Sequence, residues 1–349
     1  MKAIDIHAHL LPESLINKLM DRQSRFPFVK VEDLEEGTVR FKIGEGKWTR
    51  PVQPNLMNIA VRKKALQENN IDLQINAGWL DIFGYHLPSE QGAKWSRFLN
   101  EEMLEFLANK GEEMFLSLAT VPLQDGKLAA IELEQSIKEG HVGAMIGSWV
   151  DRGGAESSFD LDHPSLEPFW DKAAQLNVPI FLHPVFAGDV PRTKPLGMVN
   201  TVARPNETTI ALARILYSGI PQRFPGLKLI ISHGGGSLPF ILGRLQRNYE
   251  LLAAEGEKVY NPTDGFNQLY FDTVVFEPKA LHFLMQLVDV DKILLGSDDP
   301  FPIRDPDPRK VVETATLQIS ETTRKALLYE NALKLFNIKN EEFVNESGG

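Results

Sequence analysis

The feature that most constrains the fold is an alternation of short apolar runs with longer amphipathic segments. Eight runs rich in β-branched residues occur in the order AIDIHAH, IDLQINAG, MFLSLATVP, VGAMIGSWV, VPIFLHP, LKLIISHGGG, LYFDTVV and KILLGSDDPFP. Helical periodicity between them covers residues 56–70, 90–110, 126–139, 165–177, 206–219, 237–254 and 277–288, with a helical tail over about 307–337. A strand followed by a helix, repeated in this way, predicts an α/β fold with parallel strands.

Two observations favour a closed (β/α)8 TIM barrel over an open doubly wound sheet. The strand count reaches eight, and conspicuous polar residues stand at the carboxyl ends of several different strands, where barrel enzymes assemble their active sites. An open sheet would concentrate such residues near one switch point. With no internal repeat or linker, residues 1–338 are predicted to form one domain, followed by a polar tail over 339–349.

One segment departs from the strand–helix alternation. Residues from about 26 to 52, FPFVKVEDLEEGTVRFKIGEGKWTRPV, alternate apolar and polar side chains and contain the glycine-bounded stretch KIGEGK. This pattern predicts a small β-hairpin inserted after strand 1. We expect the hairpin to overhang the mouth of the barrel.

Composition excludes several classes of function. The net charge of -10 and the scattered basic residues disfavour nucleic acid as a partner, although a few focused arginines could still bind a small anionic substrate. The chain has no cysteine, so disulfides, thiolate nucleophiles and cysteine metal ligands are impossible. No run of about 18 apolar residues marks a membrane span, and polar residues interrupt any signal-peptide core. We expect a cytoplasmic protein without a membrane partner.

His7 and His9 lie two residues apart on the first predicted strand, so both side chains point to the same face. Either histidine alone could be a hydrogen-bonded core residue. Together with Asp5, however, they place three polar groups at the end of one buried strand, and such groups need strong compensation. A bound metal ion would supply it.

Three further polar residues end buried strands. His183 ends the fifth strand, His233 the sixth and Asp298 the eighth, and in a closed barrel strand eight lies beside strand one. Three imidazoles and one carboxylate would leave a coordination position for water, as in catalytic zinc sites. Singly, each residue could be a core histidine or a helix-capping aspartate. Strand four carries no lysine that could bridge two metals, so one divalent ion is predicted, Zn²⁺ first and Mn²⁺ as the alternative.

Four motifs in particular resemble those of a known family. IDIHAHLLP, NVPIFLHP, SHGGGSLPFILGR and LLGSDDPFP are similar to the motifs of the amidohydrolase-related decarboxylases, in the amidohydrolase superfamily, and above all to the aminocarboxymuconate-semialdehyde decarboxylase-like family. Intervening matches include TRPV, FGY, VPLQD, PNET and FDTVVF, so the resemblance covers most of the chain in order.

The resemblance implies roles for individual residues. It implies that the metal ligands are His7, His9, His183 and Asp298, with Asp298 also part of the catalytic machinery. It further implies that His233 is the catalytic histidine near the metal, that Arg50 and Arg244 hold substrate carboxylates, and that Phe301 is an aromatic wall. In the family dimer the second arginine reaches in from the neighbouring subunit, so a homodimer with Arg244 in trans is expected.

Physical chemistry leaves alternatives open at the substrate-binding positions. A guanidinium suits bidentate binding of a carboxylate, but Arg50 could equally form a surface salt bridge and Arg244 could be a solvated helix residue. Trp48, Trp79 and His86 are candidate pocket residues against a default of ordinary packing. Asp272 either orients a histidine or arginine or makes a structural hydrogen bond.

Three functions remain in competition. The first is metal-dependent, non-oxidative decarboxylation of a small unsaturated or aromatic carboxylic acid, with His233 as acid and base and no organic cofactor. The second is a mononuclear metal-dependent hydrolase of an amide, lactone or cyclic substrate. The third is a metal-bound scaffold without turnover. The arginine pair, the missing bridging lysine and the motif resemblance favour the decarboxylase.

Overall fold

The computed structural model describes residues 2–21, 25–34, 38–110, 113–153, 156–185, 191–316 and 320–339. The strands are β1 (Ile4–His9), β2 (Val29–Asp33), β3 (Val39–Ile43), β4 (Leu73–Ala77), β5 (Phe115–Ser117), β6 (Ala119–Thr120), β7 (Ala144–Gly147), β8 (Trp149–Val150), β9 (Phe159–Asp160), β10 (Pro179–His183), β11 (Lys228–Ile231), β12 (Tyr270–Asp272) and β13 (Ile293–Leu294). The α-helices are α1 (Glu13–Asp21), α2 (Ile59–Glu68), α3 (Ser89–Lys110), α4 (Gly126–Glu139), α5 (Glu167–Leu176), α6 (Arg204–Tyr217), α7 (Ile220–Arg223), α8 (Leu238–Ala254), α9 (Pro262–Phe266), α10 (Pro278–Leu287), α11 (Pro308–Ala315), α12 (Glu321–Lys325) and α13 (Asn331–Phe336).

Each of the eight apolar runs contains at least one parallel strand. Every residue of β1, β4 and β10 is buried, as expected for parallel strands that are covered on both faces. Side-chain caps help to start the intervening helices: Asn58 accepts a hydrogen bond from the Val61 amide at α2, and Asp125 caps α4 in the same way. The predicted α/β fold with parallel strands is confirmed.

The strand ladders form two parallel sheets. One has the order β1-β4-β5 and the other β13-β12-β11-β10-β7-β6. Backbone hydrogen bonds cross both gaps between the sheets, from Val142 N, just before β7, to Ser117 O of β5 at 3.0 Å and from Ile6 N of β1 to Leu295 O, just after β13, at 2.9 Å. The expected single ladder of eight strands is therefore not seen among the described residues. One gap falls after β13, which is short and is followed by a positive φ at Asp298, and the other falls at Leu118, between β5 and β6.

An antiparallel pair of strands lies within the range where the sequence predicts an inserted hairpin. β2 pairs with β3 from Val29 opposite Ile43 to Asp33 opposite Val39, while the connecting residues 35–37 lie outside the described part. The apolar face of this pair packs in a second core cluster with Trp95 of α3. The paired strands are therefore packed in a small hydrophobic cluster that is distinct from the core around the parallel strands.

Some elements were not predicted. Helix α1 follows β1 directly, and the short antiparallel pair of β8 with β9 interrupts the expected alternation. The expected helical tail consists of α11, α12 and α13, with residues 317–319 outside the described part, as are residues 340–349 of the polar tail. No helix in the described ranges has both the length and the apolar composition that crossing a bilayer requires.

Replacing Phe41 tests the second core cluster. Its side chain is fully buried in β3, so Phe41→Ala should lower the free energy of unfolding by about 3 to 5 kcal/mol through lost burial and a residual cavity. Phe276→Ala is the matched control, because that side chain is 51% exposed. Chemical denaturation measures both variants, and equal losses would contradict the assigned packing.

Candidate metal centre

Three imidazole nitrogens converge on one carboxylate oxygen. The Nε2 atoms of His7 and His9, on β1, each lie 3.3 Å from Oδ1 of Asp298, and Nε2 of His183, at the end of β10, lies 3.8 Å from it. All four residues are at most 2% exposed. Residues remote in sequence are thus brought together where their strands end.

The donor atoms fit a divalent cation. In the described part of the chain, Nε2 of His7, His9 and His183 and Oδ1 of Asp298 are buried without a hydrogen-bond partner. Buried polar atoms are normally paired, and a metal ion would satisfy all four at once. Nitrogen and carboxylate donors suit Zn²⁺ and Mn²⁺.

His233 lies beside the same four residues. Its Nε2 is 3.4 Å from Oδ2 of Asp298, and its side chain is 14% exposed. The potential ligand atoms of His7, His183, His233 and Asp298 all lie within 4.8 Å of one another. The centre therefore offers five side chains, of which His233 is the most open to the solvent.

The backbone is irregular at the metal centre. An extra residue between Asp5 and Ala8 shifts the register of β1 against β4, and bulges of this kind re-aim side chains near active sites. Asp298 and His233 adopt φ values of 63° and 56°. Such left-handed conformations of non-glycine residues cost about 1 to 3 kcal/mol each and cluster at functional sites.

Asp272, at the end of β12, forms hydrogen bonds with His7 and with the backbone of the His233 turn. Its Oδ2 accepts hydrogen bonds from Nδ1 of His7 at 2.6 Å and from the backbone amide of His233 at 2.9 Å. Its Oδ1 accepts from the Gly234 amide at 2.8 Å. One carboxylate thus orients a candidate ligand and holds the strained turn that presents His233. Of the two roles considered from the sequence, orienting a histidine agrees with these contacts.

Burial and charge set the protonation of the centre. Burial alone would lower the pKa of His7, but Asp298 and Asp272 raise it to about 10. Burial likewise favours the neutral form of Asp298, yet His7 and the neighbouring imidazoles hold the pKa of Asp298 well below its usual range. Burial lowers the pKa of His183 far below 6.5. The ionised carboxylate and neutral His183 are in the states that metal ligation needs, whereas His7 would release a proton when a metal ion binds.

A buried arginine supports the neighbouring backbone. Arg62, on α2 and 1% exposed, donates from Nη1 to the His9 carbonyl at 2.6 Å and pairs through Nε with Asp299 at 2.8 Å. Its Nη2 also donates to Asn76 of β4 at 2.8 Å. Sequence reasoning did not find this residue, since nothing in the pattern of α2 separates a buried arginine from a solvated one.

A cavity of about 1250 Å³ opens next to the metal centre. His183 belongs to its lining, together with the predicted substrate-binding residues Trp48, Arg50, His86 and Phe301. Residues 44–50 follow β3, so the inserted segment forms one wall of the cavity. Arg244 is not part of the lining; it is exposed on α8.

The lining residues differ in what they contact. Arg50 pairs with Asp81 at 3.2 Å, and the ring of Phe301 is 4.9 Å from that of His9. His86 hydrogen-bonds the Ile43 carbonyl at 2.6 Å, and the ring of Trp48 lies 4.9 Å from the guanidinium of Arg40. Phe301 therefore lies next to the metal centre, whereas His86 and Trp48 contact the inserted strands.

Replacing Asp272 with Asn tests whether it anchors the metal centre. The amide cannot accept from both His7 and the His233 turn as an ionised carboxylate does, so metal affinity should fall about 10- to 100-fold. Metal titration against a competing chelator measures the change. The exposed Asp264→Asn variant is the control, and an Asp272→Asn protein with unchanged affinity would contradict the assignment.

Several known proteins are similar to this chain in sequence. The chain is 28% identical over 345 residues to 2-amino-3-carboxymuconate-6-semialdehyde decarboxylase of Dictyostelium discoideum, covering 98% of this chain and 93% of that protein. It is 29% identical over 305 residues to gamma-resorcylate decarboxylase of a Polaromonas species, covering 82% and 90%.

A solved dihydroxybenzoic acid decarboxylase from Polaromonas, with bound manganese and the inhibitor 2-nitroresorcinol, matches with a TM-score of 0.77 at 24% identity over 98% of each chain. This likeness extends over the whole fold. The family model described as amidohydrolase matches residues 4–338. The chain belongs to the amidohydrolase family.

Proposed function

We propose that this protein is a metal-dependent, non-oxidative decarboxylase of a small unsaturated or aromatic carboxylic acid. The observation that carries the proposal is the set of three buried imidazole nitrogens and one carboxylate oxygen beside a cavity that is lined by arginine. The two curated relatives described above are both decarboxylases of carboxylic acids. The donor set would serve a hydrolase as well, so it is the relatives that favour decarboxylation over hydrolysis.

The metal would be held by His7, His9, His183 and Asp298, with Zn²⁺ as the first choice and Mn²⁺ as the alternative. When bound, a divalent cation would polarise a substrate oxygen and stabilise the negative charge that develops as CO₂ leaves. No organic cofactor is needed in this scheme. These four atoms are among the buried atoms without a hydrogen-bond partner in the described residues, whereas Nε2 of His233 contacts Oδ2 of Asp298 at 3.4 Å, which supports this set over one that contains His233.

His233 would act as the acid and base of the reaction. Decarboxylation breaks the bond between the substrate carbon and its carboxylate, leaves the electron pair on that carbon and places a proton there. Nε2 of His233 faces Asp298 at 3.4 Å from a partly exposed side chain, and Asp272 fixes its backbone. His233 can therefore hold a proton next to the metal centre and exchange it with the solvent.

The cavity walls would orient the substrate. Arg50 offers a guanidinium to the substrate carboxylate, with Asp81 limiting its motion. Phe301 would pack against the unsaturated or aromatic part of the substrate, next to His9. Trp48 and His86 would shape the outer wall through their contacts with the inserted strands.

We also propose that residues 1–338 form one domain whose two sheets close into a single barrel. Closure is supported by hydrogen bonds from Ile6 N to Leu295 O, from Asp298 N to His7 O and from His9 N to Asp299 O, at 2.8 to 2.9 Å. These bonds join the first strand to the segment after the last, so the ladder would continue through the metal-binding segment. The insertion and the helical tail would then be additions to one barrel.

A homodimer with Arg244 in trans remains part of the proposal. Arg244 lies on α8 four residues after Phe240, whose side chain is 85% exposed and whose ring is 6.4 Å from that of Phe283. Exposed aromatic side chains beside an arginine are typical of protein interfaces. A second subunit covering this face would bring Arg244 to a cavity other than its own.

Replacing His233 tests the proposed reaction. Metal-loaded wild-type protein should release CO₂ from a muconate semialdehyde or hydroxybenzoate acid, and His233→Asn should lower the rate by about 10² to 10⁴-fold because the acid and base is lost. Metal content, measured in parallel, should be unchanged if His233 is not a ligand. His282→Asn, exposed on α10, is the control.

Two results would contradict this assignment. An unaffected His233→Asn rate would remove the acid and base role. Incorporation of oxygen from labelled water without release of CO₂ would identify a hydrolase instead.

Mixing two inactive variants tests the trans arginine. If Arg244 serves the neighbouring subunit, a mixed dimer of His233→Asn and Arg244→Ala has one cavity with both defects and one intact cavity. Co-expressed subunits should then recover activity in the mixed species, up to about half of the wild-type rate, while each variant alone stays inactive. Recovery should be measured on dimers purified with two different tags. No recovery would place Arg244 in its own subunit, and an active Arg244→Ala homodimer would place it outside the site.

A further inference from the structure

Arg204 is an arginine of the cavity wall that the motifs did not single out. It is the first residue of α6, only 9% of its surface is exposed, and it belongs to the cavity lining together with Arg50 and His183. Arg244 of the same chain is exposed outside that lining. Arg204 is therefore the buried arginine that each subunit provides to its own cavity.

The surroundings of Arg204 make that part of the cavity favourable for an anion. Burial lowers the pKa of Arg204 and the nearby positive charge of Arg50 lowers it further, while Asp298 and Asp81 oppose this shift, and an arginine keeps its charge at neutral pH. An anion bound near both guanidinium groups would relieve their mutual repulsion. The effect is strong because a buried site screens charges less than water does.

The adjacent carboxyl group does not cancel this charge completely. Glu207 lies one turn after Arg204 on α6 and also lines the cavity. Burial, and then the negative charge of Asp160, raises the pKa of Glu207 to about 7. Near neutral pH Glu207 is therefore only partly ionised, so it offsets the charge of Arg204 only in part.

We propose that Arg204 is a substrate-binding residue that recognises a second anionic group, remote from the carboxylate that leaves as CO₂. This inference rests on the proposed decarboxylase function and narrows its substrates to acids that carry a further carboxylate or a similar anion. Arg50 would orient one anionic group and Arg204 the other, both from the same subunit. The second group would thereby fix the leaving carboxylate relative to the metal centre.

Replacing Arg204 should change the preference between substrates. Arg204→Met keeps much of the side-chain volume but removes the charge, so KM for a dicarboxylic substrate should rise about 10- to 100-fold, as for a lost charge-assisted hydrogen bond. KM for the matching monocarboxylic substrate should change less than about threefold, because that interaction is absent. Arg204→Lys should recover part of the loss. Arg223→Met, which removes an ion pair with Glu167 away from the cavity, is the matched control.

Binding without turnover separates this inference from the proposed function. Trp48, Trp79 and Trp149 line the cavity, so their fluorescence reports occupancy even if no CO₂ is ever released. Metal-loaded wild-type protein should bind benzene-1,3-dicarboxylate more tightly than benzoate, and Arg204→Met should abolish that difference while keeping its metal content and melting temperature.

Two results would overturn the inference. In the first, Arg204→Met retains the preference for the dicarboxylate. In the second, the variant weakens the binding of both acids equally. A protein that keeps the preference for the dicarboxylate but releases CO₂ from no acid would refute the decarboxylase proposal alone.

Discussion

A single buried carboxylate, that of Asp298, determines how the strand ends must be arranged. Its Oδ1 lies within 4 Å of Nε2 of His7, His9 and His183, and its Oδ2 lies 3.4 Å from His233. An ionised carboxylate at 2% exposure is costly unless cations or hydrogen bonds compensate it. The surrounding imidazoles give part of this compensation, and a divalent cation would give the rest.

Hydrogen bonds with β12 and β1 offset the backbone strain at His233 and Asp298. His233 and Asp298 both occupy left-handed backbone conformations, which an isolated chain would populate little. Asp272 holds the first turn through the amides of His233 and Gly234, and the His7 carbonyl accepts from the amide of Asp298 at 2.8 Å. The segments that carry the chemistry are therefore anchored to strands with fully buried side chains. This anchoring keeps the donor atoms in place before any ligand arrives.

The sequence predicts the parts of this molecule that follow from local pattern. The two-residue spacing of His7 and His9 and the strand-end positions of the other residues were enough to predict that His7, His9, His183, His233 and Asp298 lie close together. The pattern could not predict the break in the ladder after β13, since it depends on the conformation of a single residue, Asp298. Nor could it identify Arg62 or Arg204, because burial of an arginine depends on the tertiary contacts of its helix rather than on the sequence around it.

The arginines of the cavity carry a charge opposite in sign to the net charge of the whole chain. The net charge of -10 would repel an organic anion at long range, yet the cavity contains Arg50 and Arg204 close to the metal centre. Solvent and salt screen the distant surface charges over about 8 to 10 Å, whereas the charge of the buried Arg204 guanidinium is screened much less. Local charge therefore decides what enters this cavity. Asp272 and Arg62 contact protein atoms, so they act on the reaction by fixing the geometry of neighbouring groups and, for Asp272, by raising the pKa of His7.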